Sequence, residues 1–299
     1  MTAIGPAVHT SEFRCVVSTI RSAEIARAVS VALIFASFAT TVTSAASAAS
    51  DLGAPPAAGE SETQSGGVFE FTKYLPHARQ TPGSINHPHL LGGQVWVKWS
   101  DVEPARGRYD WRVVDRLGGP WAEQGKRVVL RVGTSPAGHV WAGVPRWVRD
   151  AGAKTLTHPQ TGEVFPVYWD PVYLDNWCRF VEAFAERYDN DPSVEFVQIG
   201  GVGWFGEMML PRQAPTGRFT SLRDEWIEAG YTPQRYLETY RRVLDAFLAA
   251  FRHKPVGIML GHPLDNEQIA PAIADDAIRR YTPRVYLQNN GLGAINGRT

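Results

Sequence analysis

The sequence predicts an α/β fold: a TIM-type (β/α)8 barrel, incomplete, with about six strand–helix units present. Three observations predict it. Short β-rich runs alternate with longer segments of helical period, the pattern of parallel strands joined by crossover helices. At 299 residues, 44% hydrophobic and 20% charged, the chain can bury one large core without needing a second. A six-stranded open sheet, the alternative arrangement, would leave a long parallel edge open to unwanted pairing.

The elements follow in order. Residues 14–48 carry Arg14, Arg21 and Arg27, then an apolar run of about 15 residues, then small residues ending in Ala46-Ser47-Ala48. That order predicts a secretory signal peptide over 1–48, because the run is short of the roughly 20 residues a permanent span requires. Residues 49–66 are small, polar and rich in Pro and Gly, with too little apolar surface to offset the entropy of ordering, and are expected to be a linker. The barrel domain is then 67–299. Its strands are expected at 68–74, 94–99, 127–132, 194–199, 255–260 and 284–288. Tyr173, Trp177, Phe180, Val181, Phe184 and Tyr188 recur at helical spacing, and Asp191-Pro192 ends that helix. A second helix starts at Pro233, a favoured first-turn residue, and carries Tyr236, Tyr240, Val243, Leu244, Phe247 and Phe251. A barrel of this kind has eight units, so two more are expected beyond the six.

Composition narrows the function. Lys and Arg total 30 against 30 Asp and Glu, and loss of residues 1–48 leaves a net charge of −1, so nothing favours a nucleic-acid partner. Cleavage near Ala48 would remove Cys15 and leave Cys178 alone, so no intramolecular disulfide is expected; Cys178, beside Trp177 on a helix, is expected to be a bystander thiol. There is no Walker loop, G-x-S-x-G, H-E-x-x-H or C-x-x-C, and Gly200-Gly201-Val202-Gly203 runs into W-F-G-E instead of a Lys-Ser/Thr helix. No cofactor and no metal are expected. His139 has no partner at metal-ligand spacing.

In such barrels chemistry gathers at the carboxyl ends of the strands. The stretches there are K-W-S-D-V-E-P-A-R-G-R-Y-D-W after the second strand, R-V-G-T-S-P-A-G-H-V-W-A-G-V-P-R-W-V after the third, I-G-G-V-G-W-F-G-E-M-M after the fourth and Y-L-Q-N-N-G after the sixth. All ten Trp fall between Trp96 and Trp226. Flat apolar surfaces set beside fixed polar groups suit a ligand that carries both kinds of surface. The candidates are Lys98, Trp99, Arg131, His139, Trp147, Trp169, Gln198, Trp204, Gln288 and Asn289. Trp111 and Trp177, inside helical patterns, are expected in the core. Arg131 alternates with Val132 on an inner strand, where it can orient a carboxylate.

The second-strand stretch resembles the signature of clan A glycoside hydrolases, families 10 and 42, and V-P-R-W-V, Y-W-D-P-V-Y-L-D-N-W and R-Y-D-N-D-P-S-V-E-F-V-Q-I-G are similar to the same clan. The likeness covers about residues 68–290 as scattered short motifs. It implies a general acid/base Glu ending the fourth strand, here Glu207, and a nucleophile on a seventh strand. It also implies an oligo- or polysaccharide partner. The clan places Asn before this Glu, where Gly206 stands here. Independently, Glu207 lies among Trp204, Phe205, Met208 and Met209, whose desolvation disfavours its charged form and suits a proton donor. Glu103-Pro104 and Asp101 are expected to order a turn, and Glu195 to face outward. The expectation is a secreted hydrolase of β-linked glycosides whose 299 residues alone are inactive; the alternative is a barrel that binds glycan without cleaving it.

Overall fold

The computed structural model describes residues 20–21, 68–72, 82–134, 143–157, 162, 164–203, 206–210 and 222–288. Its strands are β1 (Ile20–Arg21), β2 (Val68–Thr72), β3 (Leu90–Lys98), β4 (Arg127–Gly133), β5 (Thr155–Thr157), β6 (Val164–Pro166), β7 (Val194–Gln198), β8 (Val256–Met259) and β9 (Val285–Gln288). Among them, α1 (Pro82–Ile85), α2 (Trp99–Val102), α3 (Arg112–Glu123), α4 (Arg146–Asp150), α5 (Pro171–Tyr188), α6 (Arg223–Glu228), α7 (Pro233–Ala250) and α8 (Ile269–Tyr281) are α-helical.

Six strands pair in parallel in the order β2-β3-β4-β7-β8-β9, which is sequence order once the small hairpin β5–β6 is set aside. Each long connection carries a helix back to the start of the next strand. The result is the curled part of a TIM barrel, six strands of the eight, as the alternation of elements predicts. The far edge of β9 meets β1 antiparallel, with Ile20 opposite Leu287 and Arg21 opposite Tyr286. The remainder of the segment expected to be a signal peptide, and the expected linker, lie outside the described residues. No described helix is long and apolar enough to cross a membrane.

Both sheet faces are covered, so side chains alternate between two interiors. Toward the helices, Val95, Val97, Leu130, Val132, Val197 and Ile258 pack with Trp121, Trp177, Phe180, Phe184, Val243 and Phe247. Toward the barrel axis, Phe69, Val129, Phe196 and Tyr286 form a small separate cluster. Above this apolar floor lies a polar layer: Gln94 Nε2 donates to Gln198 Oε1, and Gln198 Nε2 donates to Gln288 Oε1 at 2.5 Å.

The helices start where the sequence signals them. Asp170 accepts from the Tyr173 amide at 3.0 Å with Pro171 in the first turn, and Thr232 accepts from the Arg235 amide at 3.1 Å with Pro233 next. Tyr173, Trp177, Phe180, Val181, Phe184 and Tyr188 are all buried on α5, as their spacing predicts. Trp111 stacks on Phe184 at the top of α3, and Cys178 is half-buried with its thiol pushed up by burial.

Candidate active site

Glu207 follows β7 at the carboxyl end of the barrel, in a turn whose backbone is left-handed at four points: Gly201 (φ +86°), Gly203 (+83°), Gly206 (+74°) and Met208 (+60°). A non-glycine residue at positive φ is costly and persists only where its surroundings hold it. Met208 is held on both sides: its side chain is fully buried, and its carbonyl accepts from the Tyr236 hydroxyl of α7 at 2.6 Å. On the other flank, the Tyr173 hydroxyl of α5 donates to the Gly201 carbonyl. A Cβ on Gly261, just past β8, would lie 2.0 Å from the Glu207 carbonyl oxygen, so that glycine lets the turn sit on the barrel rim.

The Glu207 side chain is 18% exposed, and its Oε1 lies 3.6 Å from Nη2 of Arg131, which is 1% exposed. The expectation that Arg131 faces a carboxylate therefore meets its geometry. The guanidinium rests over the Trp96 ring, 4.8 Å from the centroid, and its Nη1 lies 2.9 Å from Met259 Sδ.

The other expected binding residues divide sharply. Trp99 is fully buried, edge-on to Trp147, Tyr173 and Trp177, and its indole N–H donates to Glu103 at 2.8 Å. It is a core residue, correcting the expectation that it lines the site. Gln198 and Gln288 are likewise 1% and 3% exposed and spend their amides on each other and on Gln94, one layer below Glu207. Trp147 is half-buried, with its N–H on the Glu103 carbonyl at 3.0 Å and Arg179 over its ring; Trp169 donates to the Ala229 carbonyl at 2.8 Å and packs against Trp226 and Tyr231. Both indoles tie loops to helices. Lys98, at the end of β3, pairs with Asp101 at 3.2 Å. His139, Trp204 and Asn289 lie outside the described residues.

Two carboxylates expected to be structural are so. Glu103 is fully buried and accepts from Trp99, from the Gly107 amide at 2.7 Å and from Arg179 at 2.7 Å. Glu195 pairs outward with Arg127 at 2.8 Å. Sequence reasoning missed Trp96 and Met259; period-two alternation from Gln94 and from Gly257 would have put both on the inner face. Among the described residues no cluster of three or more metal-ligating side chains occurs. A groove lined by Glu182, Glu186, Asp189 and His253 opens between the ends of α5 and α7. It lies at the amino-terminal end of the strands, the end where conserved architecture serves stability in such barrels, and away from Glu207.

Residues 95–202 match the family model of glycoside hydrolase family 42, the beta-galactosidases. No curated protein matches the chain. Among solved structures, a beta-galactosidase from the psychrophilic Marinomonas ef1 is 14% identical with a TM-score of 0.39, over 57% of this chain and 33% of that one. Endo-glycoceramidase II from Rhodococcus sp. is 20% identical with a TM-score of 0.35, over 56% and 39%. The exo-beta-1,4-mannosidase Op5Man5 from Opitutaceae bacterium strain TAV5 is 16% identical with a TM-score of 0.37, over 56% and 25%. The alignments thus span well under half the length of these structures. The chain is similar to the clan A glycoside hydrolases, and its family 42 likeness resides in residues 95–202, from the second parallel strand to the glycine turn after the fourth.

Proposed function

We infer that the chain supplies the acid/base half of an exported hydrolase of β-linked glycosides or polysaccharides, with Glu207 as proton donor and later proton acceptor. One observation carries this: Glu207 stands at the carboxyl end of the fourth parallel strand, partly exposed, on a turn fixed from both sides. The family 42 match over 95–202 supports the reaction class. In the first step the Glu207 proton passes to the glycosidic oxygen as the bond to the anomeric carbon breaks. The clan A likeness implies that the partner carboxylate comes from a seventh strand. Export rests on the basic, apolar and small-residue order of residues 14–48.

The test is hydrolysis of a broad panel of aryl β-glycosides by the full gene product, wild type against Glu207→Gln. Turnover in the wild type that falls by at least about a hundredfold in the variant is expected. No turnover in the wild type, or equal turnover in both, overturns the assignment, and glycan binding without turnover would establish the non-catalytic alternative. Amino-terminal sequencing of the secreted product should begin near Ala49.

A further inference from the structure

We propose that Arg131 is the positioning residue of Glu207: it fixes the direction of the carboxylate and stabilises the charge left when the proton departs. The proposal rests on the assignment of Glu207 above. Arg131 reaches Glu207 from β4, the strand next to β7, and is held on three sides. The ring of Trp96 of β3 lies under the guanidinium, 4.8 Å from centroid to Cζ, Met259 of β8 meets Nη1, and Glu207 faces Nη2.

The space for this arrangement is built in. A Cβ on Gly133 would lie 2.6 Å from Trp96 Nε1, so only glycine there lets the indole take up its place beneath Arg131. A Cβ on Gly206 would lie 3.4 Å from Arg131 Nε, so a larger residue before Glu207 would come up against the arginine. The side chain is thus locked by packing on elements that are themselves rigid, which is what holds a reacting group in one geometry.

Among the described residues, Arg131 comes to Glu207 from β4, and Met259 on β8 and Gly261 just past it bring no charge. From α7, Tyr236 has its hydroxyl on the Met208 carbonyl, and Tyr240 is buried; Lys98 on β3 is paired with Asp101. A buried guanidinium beside a carboxyl favours its ionised form. When Glu207 gives its proton to the leaving oxygen, the new negative charge therefore forms against a cation already in place, with no reorganisation at that moment. Once the proton has left, the same contact orients the Glu207 carboxylate for its return as base.

The experiment reads Glu207 directly. Carbon-13 carboxyl-labelled glutamate is introduced, the Glu207 resonance is assigned by its loss in Glu207→Gln, and its titration is followed in wild type, Arg131→Gln and Arg131→Lys. Arg131→Gln should move the midpoint up by about one pH unit or more, and Arg131→Lys by less, because the lysine keeps the charge but loses the planar fork. In the active enzyme the basic limb of the kcat/KM profile should move up with it while the acidic limb stays. An unmoved midpoint in both variants, or a uniform fall in kcat with neither limb displaced, overturns the proposal. Should Arg131→Gln fail to fold, Arg131→Lys decides by the same readout. If the wild type hydrolyses nothing, the glycosidase assignment fails while the titration still tests the pairing.

Discussion

Trp99 Nε1 and Glu103 Oε2 lie 2.8 Å apart in the floor of the β3–α3 connection, and neither side chain is open to solvent. The same carboxylate takes the Gly107 amide and Arg179, so one acidic group holds a tryptophan, a turn and helix α5 together. Glu103→Ala would leave three donors without their acceptor. It should cost about 3 kcal/mol, with Glu103→Gln, which keeps one acceptor oxygen, costing about half of that. Urea denaturation followed by tryptophan fluorescence checks both values, and a Glu103→Ala loss under 1 kcal/mol would contradict the clamp.

Asp189 plays a similar part at the other end of the barrel. Burial would raise its carboxyl, but the backbone N–H groups of Lys254, His253 and Arg252, with the His253 ring, outweigh it and hold the group below the usual carboxylate range. A folded value below the unfolded value of about 3.9 means the contribution is complete above about pH 5 and is lost as pH falls through the folded value. Asp189→Asn should therefore be less stable than wild type by about 2 kcal/mol at pH 7, with the gap closing below pH 4. Paired denaturation curves at pH 7 and pH 3 measure it; a gap that stays constant across that range would sink the linkage.

Gly206 tests the turn that carries Glu207. At φ +74°, with a Cβ that would approach the Ile199 carbonyl to 3.2 Å, alanine meets both strain and a tight contact. Gly206→Ala should lose about 1 kcal/mol, and Gly206→Asn less, because asparagine tolerates the left-handed region. Thermal melting ranks the two. If alanine proves as stable as glycine, the backbone of this turn does not need its left-handed residue.

How much of this was legible beforehand depended on whether a residue's neighbours lie along the chain or across it. The six parallel strands were visible because their apolar runs are local. The start of β3 was not: the expected strand begins at Gln94, yet β3 runs from Leu90, with Gly92 and Gly93 paired to β4 where a Cβ would collide with Arg127 or Trp121. The hairpin β5–β6, with three residues in each strand, carries no periodic signal of its own. In the site, alternation along β4 put Arg131 on the inner face, where it can orient a carboxylate; that the carboxylate is Glu207 is a contact across strands. Trp99 did not declare itself, because a tryptophan at a strand end has the same sequence whether it stacks on a sugar or packs on Glu103. Whether Gln198 and Gln288 serve a ligand or each other depends on the register of β7, β8 and β9, which is not written in any single strand.

That register gives the last prediction. Along the chain of amides from Gln94 through Gln198 to Gln288, the middle residue both accepts and donates, while the Gln288 Nε2 at the end is buried without an acceptor. Removing Gln198 leaves a donor on one side and an acceptor on the other unmatched inside the barrel. Removing Gln288 strands one donor on Gln198 but also eliminates an amide that was already unsatisfied. Leucine at each position has similar volume, so packing changes little and the hydrogen-bond count decides. Gln198→Leu should lose about 2–3 kcal/mol and Gln288→Leu at most about 1 kcal/mol. Equal losses, or the reverse order, in urea denaturation of the two variants would mean that the layer is not a directional chain, and that the burial of these glutamines has some other cause.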